Sequence, residues 1–245
     1  MKPIPVFIGH DKVENVAFWT LANSIQRNAS YPVSITPVSL ANLKDVYTRE
    51  RDPKQSNEFS FSRFLVPYLM DYVGFAIFMD CDMLCRGDIT ELYDLRSYEH
   101  AVQVVKHDYT PRNDVKFLGA TQYKYPKKNW SSVMLFNCSH FHTRALTPER
   151  VNTAPALELH QFKWRHSVLK NGAEDTPVGD LPIAWNHLVG EYPYDPYAKL
   201  VHYTVGGPYF NEYQNCDYSE EWREEYRRMV HCEQLPIPMM KVSSK

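Results

Sequence analysis

Short apolar runs alternate along this chain with longer stretches in which apolar residues recur every three or four positions. Apolar runs of this length are typical of strands. They lie at residues 6–8, 33–38, 75–79, 101–105, 132–136 and 199–204. The amphipathic stretches predict helices, and they lie at residues 13–25, 60–71 and 218–230. Strands that alternate with helices favour an α/β fold with a mostly parallel central sheet flanked by helices.

The pattern continues without an internal repeat, a low-complexity segment or a Gly/Ser-rich linker. We therefore predict one domain over residues 1–245, with a C-terminal helix at 218–231. The chain has 245 residues, which is an ordinary size for a single α/β domain with a large core. The glutamate–arginine pairs of the C-terminal helix predict a solvent-exposed face.

Composition excludes several classes of protein. Lys and Arg number 27 against 29 Asp and Glu, and this balance argues against a nucleic-acid-binding protein. No stretch approaches the roughly 20 apolar residues of a transmembrane helix, and the first residues lack a secretion signal. The five cysteines are odd in number and lack zinc-type spacing. We therefore expect a cytoplasmic chain without a disulfide framework.

Two aspartates, Asp80 and Asp82, directly follow the apolar run at 75–79. Residues i and i+2 of a strand face the same side, so the two carboxylates would repel each other unless a cation or proton lies between them. Ligands of open α/β sheets bind beyond the carboxyl ends of strands, and Mg²⁺ or Mn²⁺ binds carboxylate and phosphate oxygens. The pattern favours a divalent ion that holds a substrate diphosphate. A solvated acidic turn is the alternative.

The segment around these aspartates resembles the D-x-D region of glycosyltransferases with the GT-A fold, and especially of glycosyltransferase family 8. Other segments resemble the same family in the same order along the chain. They are the opening strand and loop at 6–11, the helix at 60–69, the strand at 131–137, the Leu-Pro and Trp-Asn pairs within 181–186, and the segment at 202–209. The resemblance implies a Rossmann-like nucleotide-diphospho-sugar transferase fold, in a short and divergent subgroup of bacterial or viral type.

The resemblance also implies a metal site. Asp80 and Asp82 would bind Mn²⁺ or Mg²⁺, and His202 would be the third protein ligand. Neutral imidazole suits Mn²⁺ better than Mg²⁺. Without the resemblance, a single histidine in the apolar strand at 199–204 is more often a hydrogen-bonded core residue than a metal ligand.

The donor pocket implied by the resemblance includes six further positions. Ile8, Gly9 and Asp11 would line the nucleotide, although Gly9 also fits a turn that ends a strand. Arg63 would contact the diphosphate or the sugar, unless it is a surface arginine of a helix. Family members place a lysine before their last Pro-Trp pair, whereas this chain has Gly206 and Gly207 before Pro208. The diphosphate would then need Arg63, a lysine at 127–128 or backbone N–H groups of the glycine turn.

The acceptor side carries two candidate catalytic residues. Gln161 matches the family's glutamine near the anomeric carbon, although the segment 157–162 also fits the outer face of a helix. Asn137 and Asn186 are candidate binders of sugar hydroxyls, because an amide both donates and accepts hydrogen bonds.

The motifs together favour a metal-dependent glycosyltransferase. It would move a hexose from a nucleoside diphosphate sugar, a UDP-sugar, to a glycan, lipid-linked or protein acceptor, and the resemblance alone implies retention of anomeric configuration. One alternative is a haloacid-dehalogenase-type phosphatase, with Asp80 as nucleophile and Asp82 as acid/base. In those phosphatases the motif normally lies near the amino terminus, whereas in this chain it begins at residue 80. The other alternative is a non-catalytic nucleotide-sugar-binding protein of the same fold.

Overall fold

The computed structural model describes residues 2–52, 55, 57–110, 126–164 and 178–230. Six strands form a central sheet: β1 Ile4–Gly9, β2 Val33–Val38, β3 Phe75–Met79, β5 Val102–Val104, β6 Val133–Asn137 and β7 Gly179–Asp180. A three-stranded sheet contains β4 Met83–Cys85, β8 His187–Leu188 and β9 Leu200–His202. The helices are α1 Asn15–Asn28, α2 Val66–Leu69, α3 Ile89–Asp94, α4 Pro148–Thr153, α5 Ala156–His160 and α6 Ser219–Val230.

The central sheet has the order β2-β1-β3-β6-β5-β7 and is mostly parallel, which confirms the predicted fold class. Strand β6 is antiparallel to both of its neighbours, and the other five strands share one direction. Val133 at the start of β6 therefore pairs with Met79 at the end of β3. As a result, the residues that precede β6 lie beside the residues that follow β3.

Most predicted elements appear within two residues of their expected bounds, and β2 and β3 match them fully. The stretch at 60–71 differs, because it forms a 3₁₀ helix at Ser62–Leu65 followed by the single turn α2. Pro67 lacks a backbone N–H and is tolerated only in the first turn of an α-helix. The helix therefore restarts next to Pro67 instead of running continuously.

Two clusters of buried apolar side chains make up the core. The larger cluster surrounds the central sheet, and the smaller one joins residues of α1, β4, β9 and α6. Helix α6 has the predicted exposed face, which carries Glu220 and Glu224. Its opposite face is buried, with Trp222 and Tyr226 inside the smaller cluster. Residue 231 of the predicted C-terminal helix lies outside the described residues.

The described helices include none that is both long enough and apolar enough to cross a membrane.

Candidate functional site

Asp80, Asp82 and His202 form a buried cluster between the two sheets. One carboxylate oxygen or ring nitrogen from each residue lies within 4.8 Å of the others, and the residues are 7%, 8% and 2% exposed. Both aspartates follow β3, and His202 ends β9. Strand register explains how the histidine reaches them, because His202 pairs with Met83, the residue after Asp82. Three residues that sequence reasoning proposed as metal ligands are thus brought together.

The hydrogen bond made by His202 decides which ring nitrogen is available. Its Nδ1 atom lies 3.0 Å from Oδ1 of Asn186, and an amide oxygen only accepts, so Nδ1 carries the proton. The lone pair is then on Nε2, which lies 3.4 Å from Oδ1 of Asp82. Two carboxylates and one neutral imidazole nitrogen are a donor set that suits Mn²⁺, so the residues present fit a divalent ion.

Asn186 is held in place by the segment that precedes β6. Its Nδ2 atom donates to Oγ of Ser132 at 2.8 Å and to the carbonyl of Asn129 at 3.2 Å. The carbonyl of Ser132 also accepts the backbone N–H of Asp80 at 2.9 Å. The same segment therefore positions an aspartate and the support of the histidine. Asn186 has no exposed surface, so it lies beneath the site and not where it would meet a sugar hydroxyl.

Arg63 lies in the interior and not on the protein surface, at 4% exposure. Its Nη1 atom lies 2.7 Å from Oδ1 of Asp80 and donates to the carbonyl of Ser131 at 2.8 Å. The guanidinium also lies 5.2 Å and 5.1 Å from the ring centres of Phe59 and Phe78. Arg63 thus offsets part of the negative charge of the two aspartates and fixes the position of Asp80.

Two further acids lie at the carboxyl end of β1. Asp11 accepts the backbone N–H groups of Val13 and Glu58, both at 2.9 Å, and so ties the loop after β1 to the segment that leads to Arg63. Glu14 is buried and accepts the hydroxyl of Tyr209 at 2.7 Å. Sequence reasoning missed Glu14, because an acid just before a helix is common and nothing in the pattern marks it as buried.

The acids make this part of the interior strongly negative. Burial raises the pKa of the Cys81 thiol well above its ordinary value, and the charges of Glu14, Asp82, Asp80 and Asp11 raise it further. Cys81 therefore stays protonated. A cation bound by the aspartates would relieve the repulsion among these four carboxylates.

The three glycines proposed for the donor pocket each allow an aromatic ring to approach the backbone. A Cβ atom on Gly9 would lie 2.3 Å from the Phe59 ring. Cβ atoms on Gly206 and Gly207 would lie 2.3 Å from the rings of Tyr213 and Tyr209. Ile8 is wholly buried in the core, so only its backbone is available to a nucleotide.

Gln161 lies just after α5, next to residues that contact the site. Its carbonyl accepts the ammonium of Lys127 at 2.9 Å. The preceding His160 lies 2.8 Å from Oγ of Ser131 through Nδ1, and burial lowers the pKa of this histidine to about 3, with the charges of Arg63 and Arg49 adding to the effect. Helix α5 therefore packs against the segment that holds Asp80.

Asn137, the other candidate catalytic residue, is not brought to the site. It ends β6 and pairs with Phe75, at the start of β3, whereas Asp80 follows the opposite end of β3. The expectation for Asn137 is corrected because β6 runs antiparallel to β3, so its last residue lies at the edge of the sheet away from the aspartates.

Comparison with known sequences gives two matches that cover most of the chain. A model of Glycosyl transferase family 8 matches residues 5–207. Protein CDI of Arabidopsis thaliana is 44% identical over 237 residues, which is 93% of this chain and 88% of that protein. This relative is a plant protein, whereas the motifs suggested a bacterial or viral type.

Solved structures of glycosyltransferases share the fold. The bifunctional glycosyltransferase WbbM matches with a TM-score of 0.62 at 17% identity, over 97% of this chain and 50% of that chain. The galactosyltransferase LgtC, solved with donor and acceptor sugar analogs, matches with a TM-score of 0.56 at 11% identity, over 95% of this chain and 98% of that chain. GlyE of Streptococcus pneumoniae TIGR4 matches with a TM-score of 0.55 at 15% identity, over 94% of this chain and 62% of that chain. This chain thus spans half of WbbM.

Proposed function

Since this chain belongs to glycosyl transferase family 8 and is a glycosyltransferase, we propose that it transfers a hexose from a UDP-sugar to a glycan acceptor in a metal-dependent reaction. The observation that carries the proposal is the convergence of Asp80, Asp82 and the lone pair of His202 within 4.8 Å. Retention of anomeric configuration is part of the proposal and rests on the family alone. The unit of function is the single domain over residues 1–245.

The proposed metal is Mn²⁺, with Mg²⁺ as the second choice, held by Asp80, Asp82 and His202. When bound, it would stabilise the negative charge that develops on the leaving diphosphate. The protein's own residues prepare the ligands. Asn186 keeps the proton of His202 on Nδ1, and Arg63 fixes Asp80 through their ion pair.

The donor nucleotide is proposed to lie along the carboxyl end of β1, between Asp11 and the loop that contains Gly206 and Gly207. This loop follows His202, and Tyr209 attaches it to the buried Glu14. Arg63 is already engaged by Asp80 and Ser131, so we assign it to positioning the metal ligand. Gln161 is proposed to lie near the reacting sugar, because α5 packs on the segment that holds Asp80.

The phosphatase alternative receives no support from this arrangement. Asp80 would have to be the nucleophile, yet its carboxylate is paired with a buried guanidinium at 2.7 Å. A guanidinium at that distance stabilises the charged form and lowers its nucleophilicity. Membership of family 8 is the second argument against a phosphatase.

Thermal unfolding with UDP-, GDP-, dTDP- and CMP-sugars, each with and without Mn²⁺, tests the proposal. A ligand that binds only the native state raises the melting temperature by mass action. We expect a rise of several degrees only with a UDP-sugar together with Mn²⁺, and slow release of UDP in the same mixture. Both effects should be lost in Asp80→Asn and in His202→Ala.

The matched control is Asp94→Asn. Asp94 is exposed at the end of α3 and pairs with Arg96, so this variant should behave as wild type. Equal shifts with and without Mn²⁺ would contradict the metal site. Folded protein that shows no shift with any nucleotide sugar would overturn the donor site as a whole.

A further inference from the structure

A row of three tyrosines leads from Asn129, in the segment that supports the metal-ligand cluster, to the protein surface. It begins at Tyr109, whose hydroxyl accepts Nδ2 of Asn129 at 2.7 Å. Asn129 is the residue whose carbonyl holds Asn186 beneath His202. The ring centres of Tyr109 and Tyr192 are 5.9 Å apart. The row ends at Tyr194, which is connected to Tyr192 through two further rings: His187 lies 5.9 Å from Tyr192 and 5.7 Å from Tyr218, and Tyr218 contacts Tyr194.

Each tyrosine of this row packs on a buried ring. Tyr109 and Tyr192 both lie against His107, with ring centres 6.2 Å and 5.7 Å away. Tyr194 stacks on Tyr218 at 4.7 Å with an interplanar angle of 26°. His107 and Tyr218 are buried, so the rings of the tyrosine row are held in place by contacts with the protein interior.

The ring of Tyr194 is supported on one face and open on the other. One face of the ring is covered by Tyr218, yet the residue is 54% exposed, so the uncovered surface is its outer face and edge. An exposed aromatic face gains free energy when an apolar surface covers it.

The loop that carries Tyr192 and Tyr194 is held at both ends. The Tyr192 hydroxyl lies 2.9 Å from Nδ1 of His107. The Tyr218 hydroxyl accepts the backbone N–H of Asp195 and donates to its carbonyl, both at 2.8 Å. Arg86 donates to the carbonyls of Pro196 and Ala198. The free-energy cost of ordering this loop when a ligand binds would therefore be small.

We propose that the tyrosine row of Tyr109, Tyr192 and Tyr194 is an extended acceptor site, which binds the sugar rings of an oligosaccharide beyond the sugar that reacts. The C–H face of a pyranose ring packs on an aromatic ring, and the tyrosine hydroxyls are placed to meet sugar hydroxyls at its edge. The hydrogen bond of Tyr109 to Asn129 places the inner end of the row beside the segment that also holds Asp80, through the carbonyl of Ser132. The inference rests on the proposed function and narrows its acceptor to a chain of several sugars.

Binding to a printed array of defined oligosaccharides tests this inference. The probes are α- and β-linked glucans, galactans, mannans and xylans of one to six residues. We expect wild-type protein to retain at least one series, with affinity that rises with chain length. Tyr194→Ala should lose about tenfold in affinity for the longer members, the scale of one lost aromatic stacking contact.

Two conservative variants separate stacking from folding. Tyr194→Phe keeps the ring and should retain the affinity of wild type within about threefold, since it loses only a hydrogen bond at an exposed edge. Tyr194→Leu keeps apolar bulk against Tyr218 but has no ring face, so it should resemble Tyr194→Ala. The control is Tyr98→Ala, an exposed tyrosine that packs on Phe75 at the opposite edge of the sheet, and it should match wild type.

Three outcomes would overturn the inference: no length dependence in any series, no retained oligosaccharide, or equal affinity of Tyr194→Ala, Tyr194→Leu and wild type for the longer chains. Release of UDP from a UDP-sugar with Mn²⁺, measured on wild type without acceptor, separates the two proposals. Donor turnover without length-dependent glycan binding would overturn the extended acceptor site alone. Length-dependent binding without turnover of any donor would count against the proposed function and leave the glycan site standing.

Discussion

Asn186 shows how one buried side chain sets the chemistry of another. Its oxygen accepts the Nδ1 proton of His202, and its nitrogen is bound by Ser132 and Asn129, so the amide has a single orientation. The orientation matters because a histidine with its proton on Nε2 would present N–H, and not a lone pair, to Asp82.

The first prediction concerns this support. Asn186→Ala should weaken Mn²⁺ binding by about 10–100-fold, the usual cost of removing a group that orients a metal ligand. Asn186→Asp should weaken it less, since a carboxylate still accepts the Nδ1 proton. Titration of Mn²⁺ followed by electron paramagnetic resonance measures both variants.

Asn152→Ala is the matched control for Asn186. Asn152 is likewise engaged through both ends of its amide, by Thr48, Arg49 and the carbonyl of Val46, away from the cluster. Equal Mn²⁺ affinity in Asn186→Ala and Asn152→Ala would contradict the supporting role.

Residues of the site differ in how far the sequence predicts them. Asp80 and Asp82 directly follow an apolar strand, and this position is enough to predict from the sequence that they bind a cation. Arg63 was equally compatible with a surface helix, because its burial depends on the Phe78 ring and the carbonyl of Ser131, which are distant from it in the sequence. Glu14 depends on Tyr209, which is far away in the chain.

At the scale of elements, the direction of a strand was the property that the sequence did not supply. The apolar run at 132–136 predicts β6 and its burial, but it reads the same in either direction. Asn137 was proposed for the site because an amide can bind sugar hydroxyls, without information on which end of the sheet it occupies. Pairing of Asn137 with Phe75 shows the reverse.

Helix α6 was found in the sequence, but its buried face was not. Glutamate and arginine dominate its pattern and predict an exposed face, but the pattern does not show that Glu225 is buried against α1. Its carboxylate accepts Nδ2 of Asn23 at 2.6 Å and Nε of Arg27 at 2.9 Å. A charged residue is thus part of the contact between two helices, which hydrophobic periodicity does not reveal.

The second prediction tests this contact. Glu225→Ala should lower the free energy of unfolding by about 1–3 kcal/mol, because hydrogen bonds to a buried charged group are lost. Urea unfolding measures the change. The control is Glu224→Ala, at the exposed glutamate one residue before Glu225. It removes an ion pair with Arg228 and should lower the free energy of unfolding by less than about 1 kcal/mol. Similar losses in the two variants would show that Glu225 contributes no more than a surface pair.

At the scale of the whole molecule, the proposed site lies where two packing units meet. Along β9, Leu200 belongs to the larger apolar cluster and Val201 to the smaller one. Since side chains alternate along a strand, His202 faces the same side as Leu200, toward the central sheet and the aspartates. The overall fold class was predictable from periodicity. The small sheet was not, because β8 has only two residues and no pattern of its own.

The last prediction concerns the stability of the whole fold at low pH. Burial lowers the pKa of His160 to about 3, whereas an unfolded histidine takes up a proton near pH 6.5. Between these values the unfolded chain binds more protons, so stability falls as the pH decreases from 6.5 toward 3. His107, with a pKa also lowered to about 3 by burial, acts in the same direction.

Urea unfolding at pH 7, 6, 5 and 4 tests this effect. Wild type should lose stability steadily below pH 6.5, and His160→Gln should lose less per pH unit, by at most about 1.4 kcal/mol for the one proton removed. The slope is the readout, so an overall destabilisation of the variant does not affect the result. Equal slopes would contradict a neutral buried His160.

The reversed direction of β6 also determines where the chain tolerates added length. In the parallel strands β1, β3 and β5, the segment that follows the strand lies at the end of the sheet that carries Asp80 and Asp82. For β6, the segment that precedes the strand lies there. A fusion partner or tag inserted at the exposed Ser139, in the turn after β6, would therefore project from the far edge of the sheet. The same insertion just ahead of Asn129 would instead lie at the end with the aspartates, so the reversed strand places these two insertion points at opposite ends of the sheet.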